Sequence, residues 1–263
     1  MKKILVLGYK GMLGNAVLRY FDMKRDDYQV ITTQSRWGDA EFVEEMNKVD
    51  ADFIINCIGV IPQKKPQTEM YKLVNHDLPV FLETLGIPVI HPTTDCEFSG
   101  TIPKDQKYTK ADIRNVTDDY GASKASISQL IEKDFVNTKM MRVSIIGHEL
   151  NSHTSLLDWF LNSEGEVQGY VNHYWNGITT LEWAKQCEHL MNAWETSPRL
   201  NQYGTSEVRS KCDLLLDIRD VYGKQITVKP FIAPTGANKC LESDISLPPI
   251  TSQLRELKKF YDK

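Results

Sequence analysis

The run Ile4-Leu5-Val6-Leu7, followed at once by Gly8-Tyr9-Lys10-Gly11-Met12-Leu13-Gly14, constrains this chain more than any other stretch. Four consecutive apolar residues with no helical period suit a strand buried on both faces. Residues 12–21 are helix-compatible, so the order reads strand, glycine turn, helix. In that order Gly8 takes the tight turn off the strand, Gly11 lets backbone N–H groups approach a pyrophosphate, and Gly14 lets the helix pack closely. The helix N-terminus, with Met12 and Leu13 in its first turn, then faces the phosphates. An ordinary strand-to-helix turn is the plainer alternative, because 15 glycines leave room for an accidental spacing.

The same alternation continues. Residues 28–33 (Tyr-Gln-Val-Ile-Thr-Thr) read as a second strand, residues 40–49 as a helix, and residues 52–57 as a third buried strand ending in Cys57-Ile58-Gly59. Residues 67–85 carry apolar positions at helical spacing, bent or restarted near Pro79, and Ile87-Pro88-Val89-Ile90 supplies a fourth strand. Such a chain builds a right-handed parallel sheet with its ligand crevice at the carboxyl ends of the strands. Gly8 to Leu13, Arg36, Cys57 to Gly59 and the residues just after position 91 should therefore meet there. No Asp or Glu lies between Gln29 and Gly38, where an acid would take an adenosine ribose hydroxyl. Arg36, with Ser35, suits a 2′-phosphate instead, which predicts NADPH over NADH; an exposed arginine in a solvated loop is the plainer reading.

Charge and cysteine usage narrow the classes. With 31 Lys and Arg against 35 Asp and Glu, a net charge of -4 and both signs interspersed, no basic stripe for nucleic acid exists. No stretch is long and apolar enough for a membrane span or a signal peptide. Five widely spaced cysteines without a Cys-x-x-Cys pair read as reduced thiols in a cytoplasmic protein. His148, Glu149 and His153 miss the spacing of a helical zinc site, so no metal is expected.

After the fourth strand comes Pro92-Thr93-Thr94-Asp95-Cys96-Glu97-Phe98-Ser99-Gly100, too polar for a strand interior, and later Asp118-Asp119-Tyr120-Gly121-Ala122-Ser123-Lys124. Asp118 or Asp119 caps a helix that brings Tyr120 and Lys124 to one face. Tyr20 and Lys24 share that spacing, but at the end of the first helix, away from the crevice. An ammonium beside a phenol lowers the phenol's pKa towards a working acid or base, as carbonyl reduction requires.

These motifs, in this order, resemble the extended short-chain dehydrogenase/reductases, specifically the dTDP-4-dehydrorhamnose reductase-like group of nucleotide-sugar reductases. Gly8-x-x-Gly11-x-x-Gly14, Asn56-Cys57-Ile58-Gly59, Thr93-Thr94-Asp95, Phe98-Ser99-Gly100 and Tyr120-x-x-x-Lys124 carry the likeness over roughly the first 145 residues. Looser landmarks follow at residues 142–147, 176–181 and 210–215. The resemblance implies a Rossmann doubly wound parallel sheet with a small α/β substrate-binding lobe. It makes Thr94 the hydroxyl that holds the keto oxygen and Tyr120 the proton donor. Lys124 would depress the tyrosine pKa and hold the nicotinamide ribose. It also implies hydride transfer from NADPH to a 4-keto-6-deoxysugar on a nucleotide diphosphate, for surface polysaccharide synthesis. Cys96 and Glu97 stand where the family commonly has Tyr and Val, Lys110 replaces a frequent acid, and Ile178 a frequent proline. Cys96 is open between buried filler and substrate contact.

Residues 1–147, completed by about 177–204, are expected to form the NADP-binding core, and 148–176 with 205–263 the substrate lobe. Residues 140–146 suit a fifth strand, and residues 180–194, 210–222 and 252–261 helices, with Gly223 ending the second of these. The excursion at 148–176 is rich in aromatics, among them Trp175, which join Thr94, Asp95 and Cys96 as candidate sugar contacts or serve as core. Two rivals stand beside the reductase: a nucleotide-sugar epimerase with tightly held NAD, and a non-catalytic NADP-binding regulatory subunit. A homodimer is left open.

Overall fold

The structure is a computed structural model of the chain, and residues 1–262 of it are described. The first half runs β1 (Lys2–Leu7), α1 (Met12–Asp22), β2 (Tyr28–Ile31), α2 (Ala40–Met46), β3 (Phe53–Asn56), α3 (Thr68–Lys72), α4 (Leu78–Glu83), β4 (Val89–Thr93), α5 (Asp119–Lys133) and β5 (Thr138–Arg142). The second half runs β6 (Ile145–Ile146), α6 (Leu156–Asn162), β7 (Glu166–Tyr170), β8 (His173–Trp175), β9 (Ile178–Thr179), α7 (Thr180–Asn192) and β10 (Leu200–Gln202). It ends with β11 (Arg209–Ser210), α8 (Lys211–Tyr222), β12 (Thr227–Phe231), β13 (Ala237–Asn238) and α9 (Ile250–Tyr261).

Six strands form one sheet in the order β10-β5-β4-β3-β1-β2, every neighbour parallel. The chain is a Rossmann-like α/β protein, as the alternation requires. Residues Ile4 to Leu7 are buried on both faces of the sheet. Ile4 and Val6 pack with Val17 and Phe21 of α1 and Trp183 and Cys187 of α7. Leu5 and Leu7 point the other way, to Phe42 and Met46 of α2 and Leu78 and Leu82 of α4. Because β2 and β3 lie on opposite sides of β1, the order reverses between β1 and β3, and the crevice opens there.

Three expectations are corrected. The helix predicted over 67–85 is two short helices joined by a π-type turn, Leu73–Asp77, so the irregularity precedes Pro79. The fourth strand continues through Pro92 and Thr93, whose polarity is met by buried partners. The fifth strand breaks at Val143, after which β6 pairs with β9 instead of the main sheet.

Beside the sheet, β8 pairs with β11 and β13, and β7 with β12. Their apolar cluster joins Leu157 and Phe160 of α6, Leu214 and Ile218 of α8, and Leu254 and Leu257 of α9. A full capping box at Ser210 and Asp213 starts α8, and Gly223 at φ 68° ends it. Among the described residues no helix is long and apolar enough to cross a membrane.

Candidate active site

Gly8 leaves β1 at φ 73°, and a Cβ there would lie 2.9 Å from the Cys57 carbonyl group and the Ile58 nitrogen. Only glycine lets the ends of β1 and β3 touch at the switch point. Gly11 follows as the N-cap of α1 without a side-chain cap, and no acid stands in the first turn. The amides of Met12, Leu13 and Gly14 thus begin a helix whose free N–H groups and dipole suit a pyrophosphate. Gly14 packs under the turn, where a Cβ would meet the Gly8 oxygen at 2.2 Å. Gly59 is exposed beyond the end of β3, and Cys57 and Ile58 are half-buried against the core.

At the end of β2, Arg36 is exposed. Lys10, which sequence reasoning passed over, reaches the same place and donates to Gln34 at 2.8 Å. Ser35 is placed differently from expectation. Its hydroxyl donates to Glu45 of α2 at 2.5 Å, alongside Thr33.

Thr94 follows β4 and caps a short 3₁₀ turn, Asp95–Glu97, by accepting from the Cys96 amide at 3.1 Å. Asp118 caps α5, accepting from the Gly121 amide at 2.9 Å. A Cβ on Gly121 would sit 2.3 Å from the Cys96 oxygen, so this glycine lets α5 press against the Thr94 turn. The start of α5, with Tyr120, consequently lies against the Thr94 turn. One turn along, Lys124 is buried and donates to the Pro92 carbonyl at 3.3 Å. The structure brings Thr94, Tyr120 and Lys124 together at the carboxyl end of β4.

Their electrostatics differ from the expectation in one respect. Burial pushes the Tyr120 phenol up, not down, with the nearby Cys96 adding to the rise, and burial lowers Lys124 to about 8. Desolvation outweighs the attraction between ammonium and phenolate. The phenol is held protonated, which suits a proton donor.

Glu97 explains why the turn is rigid. Fully buried, it accepts from Ser128 of α5 at 2.5 Å, from Arg114 at 2.6 Å, from Arg142 of β5 at 2.8 Å, and from Thr93. Arg114 also bonds Glu132 at 2.6 Å, so two carboxylates balance two guanidiniums. Asn75, in the π-type turn, similarly joins the loop after β3 to Ser123 of α5.

Trp175 is only 3% exposed; its indole N–H donates to Ser144 at 2.8 Å, and the Lys211 ammonium sits 5.3 Å above its ring. It packs in the second apolar cluster. Asp95 is buried and accepts a hydrogen bond from the Thr94 hydroxyl at 3.1 Å; burial raises its pKa, opposed by Lys239 and Lys211. Cys96 is half-buried, its thiol pushed up to about 11 by burial. Among the described residues no cluster of His, Cys, Asp and Glu could hold a metal ion.

The whole chain has the shape of known proteins. A dTDP-4-dehydrorhamnose reductase from Clostridium acetobutylicum superposes with a TM-score of 0.82 at 17% identity, covering 99% of this chain and 100% of that one. The Bacillus anthracis dTDP-4-dehydrorhamnose reductase, in complex with NADP, gives 0.82 at 13% identity over 100% and 99%. A UDP-glucose 4-epimerase from Thermus thermophilus, in complex with NAD, gives 0.76 at 13% identity over 99% of each chain. At such identities the likeness shows the fold alone. No curated protein matches the sequence significantly. The family model described as RmlD substrate binding domain, however, matches residues 1–167, more than half of the chain, and on that match the chain belongs to the RmlD substrate-binding-domain family.

Proposed function

We propose that the protein reduces the 4-keto group of a 4-keto-6-deoxysugar carried on a nucleotide diphosphate, using NADPH, in the cytoplasmic synthesis of surface polysaccharide. The observation that carries this reading is the meeting of Thr94, Tyr120 and Lys124 beside the switch point, across from the uncapped start of α1. The glycine turn and the amides of Met12, Leu13 and Gly14 fit the pyrophosphate, Cys57 to Gly59 border the cofactor, and Lys10 and Arg36 fit the 2′-phosphate. Bound NADPH supplies the hydride that reaches the sugar C4.

Within that site the Thr94 hydroxyl donates to the keto oxygen and orients it. The Tyr120 phenol, protonated because it is buried, gives that oxygen its proton as negative charge develops. The Lys124 ammonium stabilises the phenolate left behind and holds the nicotinamide ribose. Residues 148–176 and 205–263 supply the substrate side of the crevice, where Asp95 and Cys96 face the sugar. Five free thiols, including Cys57 and Cys96, support a reducing compartment.

The test follows loss of reduced-nicotinamide absorbance with dTDP- and UDP-linked 4-keto-6-deoxysugars, for the native chain and Tyr120→Phe. Turnover that the variant loses, with NADPH binding retained, is expected. NADPH binding without turnover on any of them favours a regulatory subunit instead. A second reading, a nucleotide-sugar epimerase retaining NAD, has one observation behind it: the Glu45 carboxylate of α2 reaches the end of β2, accepting from Thr33 and Ser35, where an adenosine ribose would lie in this fold. NAD copurifying with the native protein would decide for the epimerase.

A further inference from the structure

Three buried polar side chains stand in one row across the carboxyl ends of the sheet. Thr93 of β4 is in register with Arg142 of β5, and Arg142 with Gln202 of β10. Registered residues of neighbouring parallel strands point to the same face, so the row runs as a polar strip from the reacting strand to the sheet edge. Arg142 donates to Glu97 at 2.8 Å on one side and to the Gln202 side-chain oxygen at 2.9 Å on the other. Glu97 closes the turn that follows Thr94.

Facing the guanidinium fixes the Gln202 amide: its oxygen accepts from Arg142, and its two N–H groups point away. They donate to the carbonyls of Tyr108, at 2.9 Å, and Glu242, at 2.8 Å. The backbone of Gln202 meets the same segment. Its N–H donates to the Asp244 carboxylate at 2.8 Å, and its carbonyl accepts from the Asp244 amide at 2.9 Å.

Residues 238–244 follow β13, where the far part of the chain returns to the core. They have anchors of their own. Leu241 exchanges hydrogen bonds with the Asn176 side chain at 2.9 and 2.8 Å, and Tyr108 bonds Cys240 and Glu242 at 2.8 Å each. These hold the segment without Gln202, whose amide adds a link through Arg142 to the turn beside Thr94. An apolar side chain could fill the same space without the cost of burying an amide. What the amide adds is a fixed distance between segment and turn, because a fully satisfied buried polar network rigidifies what it joins.

We propose that Gln202 is a positioning residue for the reaction: it holds the returning segment of the substrate lobe in register with the Thr94 turn, so that a sugar bound by the lobe meets Thr94 and Tyr120 at reacting distance. This rests on the nucleotide-sugar reductase reading of the site. Gln202 acts through Arg142 and Glu97 on one side and through residues 242–244 on the other. Two variants separate the sides. In Gln202→Glu one carboxylate oxygen keeps Arg142, while the other faces the Tyr108 and Glu242 carbonyls with no proton to give, so the segment loosens and the turn stays. Gln202→Met releases both.

The experiment combines steady-state kinetics on dTDP- and UDP-linked 4-keto-6-deoxysugars with hydrogen exchange, read by mass spectrometry, over residues 94–98 and 238–244. NADPH affinity reports on the cofactor side and is expected to stay native. Gln202→Glu should raise the sugar KM about tenfold with kcat within about threefold of native, and speed exchange at 238–244 but not at 94–98. Gln202→Met should also lower kcat, by about tenfold to a hundredfold, with exchange faster in both segments. A smaller folded fraction alone would lower apparent kcat and leave KM unchanged, so the split between the two constants separates positioning from stability. Native exchange at 238–244 in Gln202→Glu, or native kinetics in both variants, overturns the role. If the native protein turns over none of the sugars, the reductase reading falls, and the exchange pattern alone decides whether Gln202 fastens the segment to the turn.

Discussion

A buried ammonium is costly, and Lys124 shows how much the site gives up to keep one. Burial lowers it from 10.5 to about 8. Between those pH values the unfolded chain binds the extra proton and the folded chain does not, so stability rises with pH across that window. Below pH 8 the charged lysine costs the fold about 3 kcal/mol. Lys124→Met is accordingly expected to stabilise the protein by up to about 3 kcal/mol at neutral pH in urea unfolding, while abolishing turnover. The same titration fixes a pH profile. Turnover should fall as pH rises through about 8, where the ammonium loses its proton, and the Tyr120 phenol should contribute no limb there because burial holds it higher. A profile flat through that range would remove Lys124 from the chemistry.

At the scale of elements, the Thr94 turn and α5 are joined by charge. Glu97 sits at the centre of bonds from β4, α5, β5 and the loop carrying Arg114. Glu97→Val leaves Arg142 fully buried without its carboxylate partner and should cost about 3–5 kcal/mol by thermal or chemical unfolding. The milder Glu97→Gln, if folded, should lower kcat more than it changes NADPH affinity, since the Thr94 turn shifts against Tyr120 and the glycine turn does not. Gly14→Ala should do the reverse, weakening NADPH binding, because its Cβ meets backbone that cannot yield. Sequence pattern made the long elements legible for a plain reason: Ile4 to Leu7, Phe53 to Asn56 and the Tyr120 helix each carry their own period or cap within a few residues. Glu97 with Arg142, 45 residues apart, carries no local signal, since each partner is an ordinary charged residue in its own neighbourhood. Short strands such as β6, β9 and β11 have two residues each, too few to show an alternation. The expected drop in the tyrosine pKa failed because spacing shows proximity but not desolvation.

For the whole molecule, the sheet is completed late. β5 finds its outer neighbour only in β10, and α1 is covered by α7, whose Glu188 accepts from Tyr20 at 2.5 Å, from Tyr28 at 3.0 Å and from Lys24. Fragment 1–150, ending before α7 and β10, should therefore fail to bind NADPH or to unfold cooperatively, whereas a version extended past residue 202 regains part of both. Circular dichroism melting with nicotinamide fluorescence would show this. During synthesis at about 5–20 residues per second, roughly ten to thirty seconds pass between the appearance of the glycine turn and that of α7. For that interval the greasy side of α1 has no cover. The growing chain is thus a client for chaperones until its last third emerges, and a mutation at Glu188 or Trp183 would be felt first as lost yield in the cell.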